Sequence, residues 1–178
     1  MEYVIVSALA GDAITIADIQ TASWRDSYRE FLPARFLAGP IVENRRSLWT
    51  ARMSAPDADR RFVAKAMAGG SAIGFACVLL DADPAWGPLL DNLHVLPGMK
   101  GLGVGWALFR AAREWVLEQA PLEPMHLWVI EANQQARGFY DRQGGAIAER
   151  RVVEVTAGFR VPALRYVWPP ESGRSAPS

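Results

Sequence analysis

The first 60 residues alternate between apolar and polar positions in a way that predicts one strand followed by helices. The apolar run at 2–8 predicts a strand. From Asp12, a candidate N-cap, apolar residues recur at nearly helical spacing, which predicts a helix that Pro33 closes. The stretch 34–53 predicts short helices with a break at residues 39–40, Gly-Pro.

From residue 61 the pattern changes to strands. Residues 61–67 and 71–80 flank a Gly-Gly pair, which predicts a hairpin. A loop is predicted at 81–88, and the apolar run 89–95 predicts another strand.

The C-terminal half continues with two helices and three strands. One apolar stripe predicts a helix over 103–119, formed by Val104, Leu108, Ala111, Ala112 and Trp115. A short apolar strand is predicted at 125–130. A helix with Asn133 as its N-cap and Gly144 as its terminator follows.

A final hairpin and a polar tail complete the pattern. Strands are predicted at 146–156 and 159–168, with Pro162 marking a bulge or an edge position. Residues 170–178 are rich in Pro and Ser, which predicts a disordered tail after a single domain over 1–169. The order of elements predicts an α/β fold with one mixed sheet and helices on both faces.

Composition narrows the classes of protein. The chain has 178 residues, half of them apolar, and carries 19 basic and 19 acidic side chains. Zero net charge argues against nucleic acid as the partner. The arginine pairs at 45–46, 60–61 and 150–151 are far apart in the sequence and are predicted to be solvated surface and not a binding stripe. The single cysteine excludes an internal disulfide. No secretion-type leader or apolar run of membrane length is present in the sequence, which predicts a cytoplasmic protein without a membrane partner.

Three alternate glycines lie between an apolar strand and an amphipathic helix, within Lys100–Gly105. A helix N-terminus offers unpaired N–H groups and a positive dipole to an anion. Glycines would let a diphosphate approach the main chain, and Lys100 would add positive charge. The competing interpretation is a turn that only lets the helix pack closely on the strand.

Two other phosphate-binding motifs fit poorly. A P-loop requires Gly-Lys followed by Ser or Thr, and a dinucleotide fingerprint requires glycine at position 106, where Trp106 stands. An early strand and an acidic residue about 20 positions later are also not well matched.

Two segments in order resemble the GNAT superfamily of N-acetyltransferases. The first is Lys100–Gly105 after Leu93–Val95, which resembles the Gln/Arg-x-x-Gly-x-Gly/Ala signature. The second resembles the N-x-x-A-x-x-F-Y signature and comprises Asn133, Ala136, Phe139, Tyr140 and Gly144. The sequence departs from the family at Lys100, which lacks a planar fork, and at Gly145, where Phe is frequent.

The resemblance implies a fold and a co-substrate. The fold is a single mixed, mostly antiparallel central sheet of six to seven strands flanked by helices. The co-substrate is acetyl-CoA, with no metal. The implied cofactor-binding residues are Leu93, His94, Val95, Lys100, Gly101, Leu102, Gly103, Val104, Gly105, Asn133, Ala136, Phe139 and Tyr140. An N–H of the strand matching Leu93–Val95 would polarise the thioester carbonyl.

Catalytic roles follow from the same resemblance. Tyr140 is the candidate general acid for the departing thiolate, because a phenol that titrates near 10 is protonated at neutral pH. The alternative is a core residue. Asp91 and Glu131 are slightly favoured as the base, with His94, a water chain or no dedicated base as the alternatives.

The acceptor is the least defined part. Trp24, Tyr28 and Phe31 follow i, i+4, i+7 spacing, and this aromatic stripe either lines the acceptor pocket or packs into the core. The implied reaction moves acetyl to a primary amine of a small molecule or peptide. The alternative function is a non-catalytic acyl-CoA-binding regulator. A homodimer is compatible with both.

Overall fold

The computed structural model describes residues 1–57, 60–156 and 158–170. Its strands form one seven-stranded mixed sheet in the order β1-β2-β3-β4-β5-β7-β6, in which β4 and β5 run parallel. The strands are β1 Val4–Ser7, β2 Arg61–Ala68, β3 Ser71–Asp83, β4 Gly87–Val95, β5 Met125–Ile130, β6 Ala146–Thr156 and β7 Phe159–Trp168. The helices are α1 Ala13–Ser27, α2 Ala34–Ala38, α3 Pro40–Ser54, α4 Val104–Gln119 and α5 Gln134–Arg142. The predicted fold class is confirmed.

The chain divides into two compact units, and the first comprises Met1–Val78 and Asn92–Ala112. Its core contains a buried polar chain that joins helix α1 to α3 and β4. The indole Nε1 of Trp49 donates to Oε1 of Gln20 at 2.6 Å, and Nε2 of Gln20 donates to Oδ1 of Asn92 at 2.7 Å. Because each buried polar group has a partner, the chain fixes α1 against the strand without an unpaired donor.

The second unit comprises Leu79–Asp91 and Arg113–Ser178. Its most buried charge is Arg165 on β7, which is 1 % exposed. Nε of Arg165 donates to Glu149 at 2.9 Å, and Nη1 donates to Asp83 at 3.3 Å. The guanidinium also lies 4.5 Å from the ring of Trp86 and 4.4 Å from that of Trp128. Two carboxylates and two aromatic faces therefore compensate this buried charge.

Most predicted elements are confirmed within a few residues. The Gly-Gly hairpin turn has positive φ at Gly69 and Gly70, and β5 has the predicted bounds. Helix α1 is shorter than predicted: it ends at Ser27, with Tyr28 as its C-cap, and short turns replace the helix before Pro33. Strand β3 continues to Asp83, into the predicted loop.

Pro162 corrects a further prediction, because β7 is an inner strand and the two ladder irregularities lie elsewhere. The carbonyl of Pro162 accepts from the N–H of Glu131 at 2.9 Å, one residue beyond the last residue of β5. In an antiparallel strand the N and C=O of a residue point to the same side. The missing N–H of Pro162 therefore faces the side on which β5 has ended.

The ends of the chain leave two expectations open. Apart from Pro170, the predicted tail lies outside the described residues, and the single domain over 1–169 stays a prediction. Among the helices of the described ranges, none has the length and apolar character needed to span a bilayer.

Candidate functional site

The glycine loop, residues 100–103, lies in the first unit between a short 3₁₀ turn and helix α4. Gly101 and Gly103 have φ of 78° and 80°, a left-handed conformation that side-chain-bearing residues rarely adopt. A Cβ at Gly101 would meet open space, and one at Gly103 would lie 3.3 Å from the hydroxyl of Tyr3. Glycine is therefore favoured at 101 and 103 by the backbone conformation, which the alternate spacing in the sequence did not reveal.

Helix α4 begins directly after this loop, at Val104, which is fully buried. Ala107 N donates to the carbonyl of Gly103 at 3.0 Å, so the loop closes the first helical turn. Earlier N–H groups of the helix have no intrahelical acceptor, and together with the dipole they favour an anion. Gly105 lies within this first turn, where its small size and not its φ distinguishes it.

Lys100 contacts helix α1. Its Nζ lies 2.5 Å from Oδ2 of Asp26 and 2.9 Å from the hydroxyl of Ser27. The charge that was expected beside a diphosphate therefore joins the glycine loop to the end of α1. Sequence reasoning missed this partner because the two residues are 74 positions apart and no periodicity connects them.

His94 lies near the end of β4, and its carbonyl oxygen is close to Gly74 of β3. A Cβ on Gly74 would lie 2.8 Å from the carbonyl oxygen of His94 and 3.1 Å from Leu108, so this approach requires glycine. The imidazole Nδ1 is 3.1 Å from the hydroxyl of Ser23. Burial, together with the charges of Arg45 and Lys100, lowers the pKa of His94 to about 3. A neutral imidazole with so low a pKa is a poor general base.

The aromatic stripe is a contiguous cluster in the first unit. The ring centroids of Trp24 and Tyr28 are 5.1 Å apart, and those of Tyr28 and Phe31 are 6.4 Å apart. Trp24 is 5 % exposed, whereas Tyr28 and Phe31 are half-buried. Burial raises the pKa of Tyr28 to about 12, which keeps its hydroxyl protonated. The cluster therefore combines a core residue with two accessible rings.

Arg45 is a residue that sequence reasoning treated as solvated surface. It is 8 % exposed, and its guanidinium carbon lies 4.6 Å from the centroid of the Trp24 ring. The Nε atom of Arg45 donates to the side-chain oxygen of Asn44 at 3.0 Å. The spacing of Ile41, Arg45 and Trp49, four apart on one face of α3 with two buried apolar members, was the signal that could have identified it.

Asn133 and Tyr140 lie in the second unit, at the two ends of α5. The Asn133 side chain accepts from Ala136 N at 3.1 Å, which confirms the predicted N-cap. The Tyr140 ring is 5.2 Å from that of Phe139 and 5.9 Å from those of Tyr166 and Trp168. Because the Tyr140 ring packs on three others, its position on α5 is fixed whichever role the hydroxyl has.

The glycine at position 145 has a local explanation. A Cβ there would lie 2.6 Å from Trp168 and 2.8 Å from Tyr166. These two rings of β7 fill the volume beside the end of α5, and no larger residue fits without displacing them. The departure from the family pattern is therefore matched by packing from β7.

The two carboxylates considered as bases lie in the second unit. Glu131 bonds Arg150, with Nε at 2.8 Å from Oε1. The bond to Arg150 lowers the pKa of Glu131, which makes it a weaker proton acceptor. Asp91 lies on β4 and is exposed. Among the described residues, no group of three or more His, Cys, Asp or Glu side chains could hold a metal ion.

The sheet order and the loop before α4 define an acyltransferase-type α/β protein, and comparison with known proteins gives its family. The model of the acetyltransferase (GNAT) family matches residues 19–145. The chain belongs to this family. A search of curated proteins found no match.

Solved structures agree on the fold. The PaiA N-acetyltransferase from Thermoplasma acidophilum, in complex with coenzyme A, superposes with a TM-score of 0.74 at 18% identity, covering 94% of this chain and 100% of that one. The apo form of YjaB from Escherichia coli gives 0.65 at 25% identity, with 94% and 97% covered. An N-acetyltransferase from Staphylococcus aureus gives 0.72 at 13% identity, with 96% and 100% covered.

Proposed function

We propose that this acetyltransferase moves an acetyl group from acetyl-CoA to a primary amine of a small molecule or peptide by direct attack. The observation that carries the proposal is the glycine loop, whose left-handed Gly101 leaves open space beside the main chain just before the N-terminus of α4. A diphosphate fits such a place, because backbone N–H groups and the helix dipole both favour it. The coenzyme A bound to the related PaiA protein supports the same co-substrate.

The reaction exchanges one bond for another. The amine nitrogen attacks the thioester carbonyl carbon, the C–N bond forms, and the C–S bond breaks. A main-chain N–H of Leu93–Val95 stabilises the oxyanion, as the family resemblance implies. Tyr140 protonates the departing thiolate of CoA. Its ring packs against Phe139, Tyr166 and Trp168, and these contacts fix the position from which the hydroxyl extends.

The attacking amine must also lose a proton to give the neutral amide product. His94 is unsuited to accept it because its pKa is about 3, and Glu131 is held in its ionised form by Arg150. We therefore assign this proton to Asp91 or to water. Asn133 uses its side-chain oxygen as the N-cap of α5, and its amide nitrogen is the group assigned to the pantetheine arm.

The test is release of free thiol from acetyl-CoA in the presence of a panel of primary amines. Amine-dependent thiol release, with acetylated product identified by mass spectrometry, is expected. Thermal unfolding with CoA is measured in parallel, since a ligand that binds the native state raises the melting temperature. A raised melting temperature with a flat amine panel would favour the acyl-CoA-binding regulator.

A further inference from the structure

Trp24 has a buried donor with nothing to bind. Its indole Nε1 has no hydrogen-bond partner among the residues that the structure describes, and the side chain is 5 % exposed. Buried indole N–H groups are normally paired, because desolvating a donor without a replacement bond costs stability. Trp49 in the same unit illustrates the usual situation, with its Nε1 bonded to Gln20 at 2.6 Å. An unpaired donor at this position points to a ligand that supplies the acceptor.

Arg45 places a cation on the same tryptophan. Its guanidinium carbon lies 4.6 Å from the Trp24 ring centroid, and its Nε and Nη2 atoms both donate to the side-chain oxygen of Asn44. Because Asn44 is neutral, Arg45 keeps its positive charge there, and a guanidinium has further N–H groups that can donate to an anion. Indole N–H and guanidinium together offer the donors that a carboxylate accepts.

The charges close to this pair favour an anion. Arg45 and Lys100 both act on nearby His94 to disfavour its protonated form. The carboxylate of Asp26 at the end of α1 is bonded to Lys100 at 2.5 Å. Asp18, also on α1, is bonded to Arg46 at 3.0 Å. These acidic groups of α1 are thus matched by cations.

We propose that Trp24 and Arg45 bind a carboxylate of the acceptor, so that the acceptor is a small amine that also carries a carboxylate, such as an amino acid. The inference rests on the proposed acetyl transfer and adds the substrate class. Tyr28 and Phe31 continue the aromatic surface from Trp24 and would contact an apolar side chain of the acceptor. Polyamines, which carry several positive charges, are disfavoured by the same field.

The first experiment compares matched acceptors. Thiol release is measured with L-phenylalanine, its amide and its methyl ester, and with the same three forms of L-methionine. The amide and ester keep the side chain and remove the negative charge. The carboxylate forms are expected to have kcat/KM on the order of 10- to 100-fold higher, the range given by a hydrogen bond to a charged group. Equal values, with thiol release from all forms, would overturn the inference and leave acetyl transfer intact.

Variants test the two residues. Arg45→Met and Trp24→Phe are expected to abolish the preference for the carboxylate forms while the KM for acetyl-CoA changes little. Arg45→Lys keeps the charge and should retain part of the preference. Arg46→Met is the matched control, because Arg46 is the adjacent residue and its partner Asp18 is exposed. A preference that survives in both Arg45→Met and Trp24→Phe would remove these residues from the assignment.

A binding measurement separates this inference from the proposed reaction. The seven tryptophans give seven indole N–H signals in a ¹⁵N spectrum, and Trp24→Phe identifies the one from Trp24. Titration with 3-phenylpropionate should shift that signal saturably, and titration with 3-phenylpropionamide should not. If the amine panel is flat but the acid shifts Trp24, the carboxylate site stands and the acetyl transfer fails. If the signal ignores the acid, the carboxylate site is wrong.

Discussion

Each unit contains a histidine near an arginine, and the settings of these histidines differ: His126 is buried, whereas His94 is half-buried. In the second unit, Nη1 of Arg165 lies 2.9 Å from Nδ1 of His126, and the same arginine binds the carboxylates Asp83 and Glu149. In the first unit, His94 contacts the hydroxyl of Ser23, and the charges that act on it are those of Arg45 and Lys100.

This difference separates structural polar groups from groups suited to bind a ligand. Around Arg165 the carboxylates and the rings of Trp86 and Trp128 satisfy the cation within the unit itself. Around His94 the field is positive, which favours an anion from outside the chain. The same unit contains the open glycine loop. We therefore expect substitutions at Arg165's partners to change stability, and substitutions near His94 to change binding.

The largest expected effect is at Tyr140 in the second unit, which we expect to differ in role from its neighbour Tyr166. Tyr140→Phe removes one oxygen and leaves the ring to pack on Phe139, Tyr166 and Trp168. If Tyr140 is the general acid, the acetyl-transfer rate falls on the order of 10²- to 10⁴-fold. CoA affinity and melting temperature should change little. Steady-state kinetics with a saturating amine measures the loss.

The matched control is Tyr166→Phe. The Tyr166 hydroxyl donates to Asp141 at 2.8 Å, and burial together with this bond raises its pKa. Losing that bond should cost about 1–2 kcal/mol of unfolding free energy and leave turnover nearly intact. Wild-type turnover in Tyr140→Phe would assign the thiolate's proton to water and make Tyr140 a packing residue.

The next effect concerns the charges around Arg165. The double substitution of Asp83→Asn and Glu149→Gln removes both carboxylates from a guanidinium that is 1 % exposed. An uncompensated buried cation is strongly destabilising, so the melting temperature should fall by on the order of 10 °C. Differential scanning calorimetry measures this.

A surface pair supplies the contrast. Asp18→Asn removes the partner of Arg46, and both side chains of that pair are largely exposed. Its melting temperature should stay within about 2 °C of wild type, because exposed ion pairs contribute little. If the two changes have equal effects, Arg165 is not the buried anchor of its unit.

The sequence predicted the elements better than the contacts. Strand β5 was located as a short apolar run and helix α4 from the periodicity of its apolar residues, and Asn133 was identified as an N-cap from its residue type and position. Tertiary partners left no such signal. Lys100 and Asp26 are 74 positions apart, so their bond could be found only after folding.

The glycines are a second case in which the sequence pattern did not determine the structural reason. The alternate spacing at 101, 103 and 105 indicated close approach of a ligand, but it could not separate left-handed backbone from a clearance requirement. Arg45 was assigned to the surface from its adjacent arginine, whereas helix α3 turns the two side chains in different directions and buries one. Position within a helix, and not residue type, decided that outcome.

Gly105→Ala is the substitution that tests ligand approach in the first unit. Gly105 lies in the first turn of α4, and its φ is not positive, so alanine is compatible with the backbone. Unfolding free energy should stay constant or rise, because alanine favours helix by up to about 1 kcal/mol. A methyl group in the path of a phosphate should weaken CoA binding on the order of 10-fold. Isothermal titration calorimetry with CoA measures the affinity.

Gly103→Ala is the companion variant. Its φ of 80° disfavours any side chain, so this change should lower the unfolding free energy by about 1–2 kcal/mol even without ligand. A substitution at position 103 therefore combines backbone strain with obstruction of the ligand's approach, whereas a substitution at position 105 tests the obstruction alone. Unaltered CoA affinity in a folded Gly105→Ala protein would remove ligand approach as the reason for Gly105 and leave the left-handed turn as the reason for Gly101 and Gly103.

The pH dependence of stability compares the two histidines directly. Burial lowers the pKa of His94 to about 3 and that of His126 to about 4, against 6.5 for the unperturbed group. Below pH 6.5 the histidines bind protons in the unfolded chain but not in the folded protein. Their contribution to stability is therefore complete above pH 6.5 and falls with decreasing pH. Each histidine contributes a slope of up to about 1.4 kcal/mol per pH unit.

Urea unfolding at pH 7, 6 and 5 measures the slope, in a range where few carboxylates titrate. His94→Gln and His126→Gln should each flatten it, and the double variant should flatten it by the sum, because the two side chains lie in different units.

Since Asp83 acts on His126 to favour its charged form, Asp83→Asn should lower the pKa of His126 further and leave that of His94 unchanged. An imidazole titration followed by NMR in which both histidines respond alike to Asp83→Asn would contradict the electrostatic difference between the units.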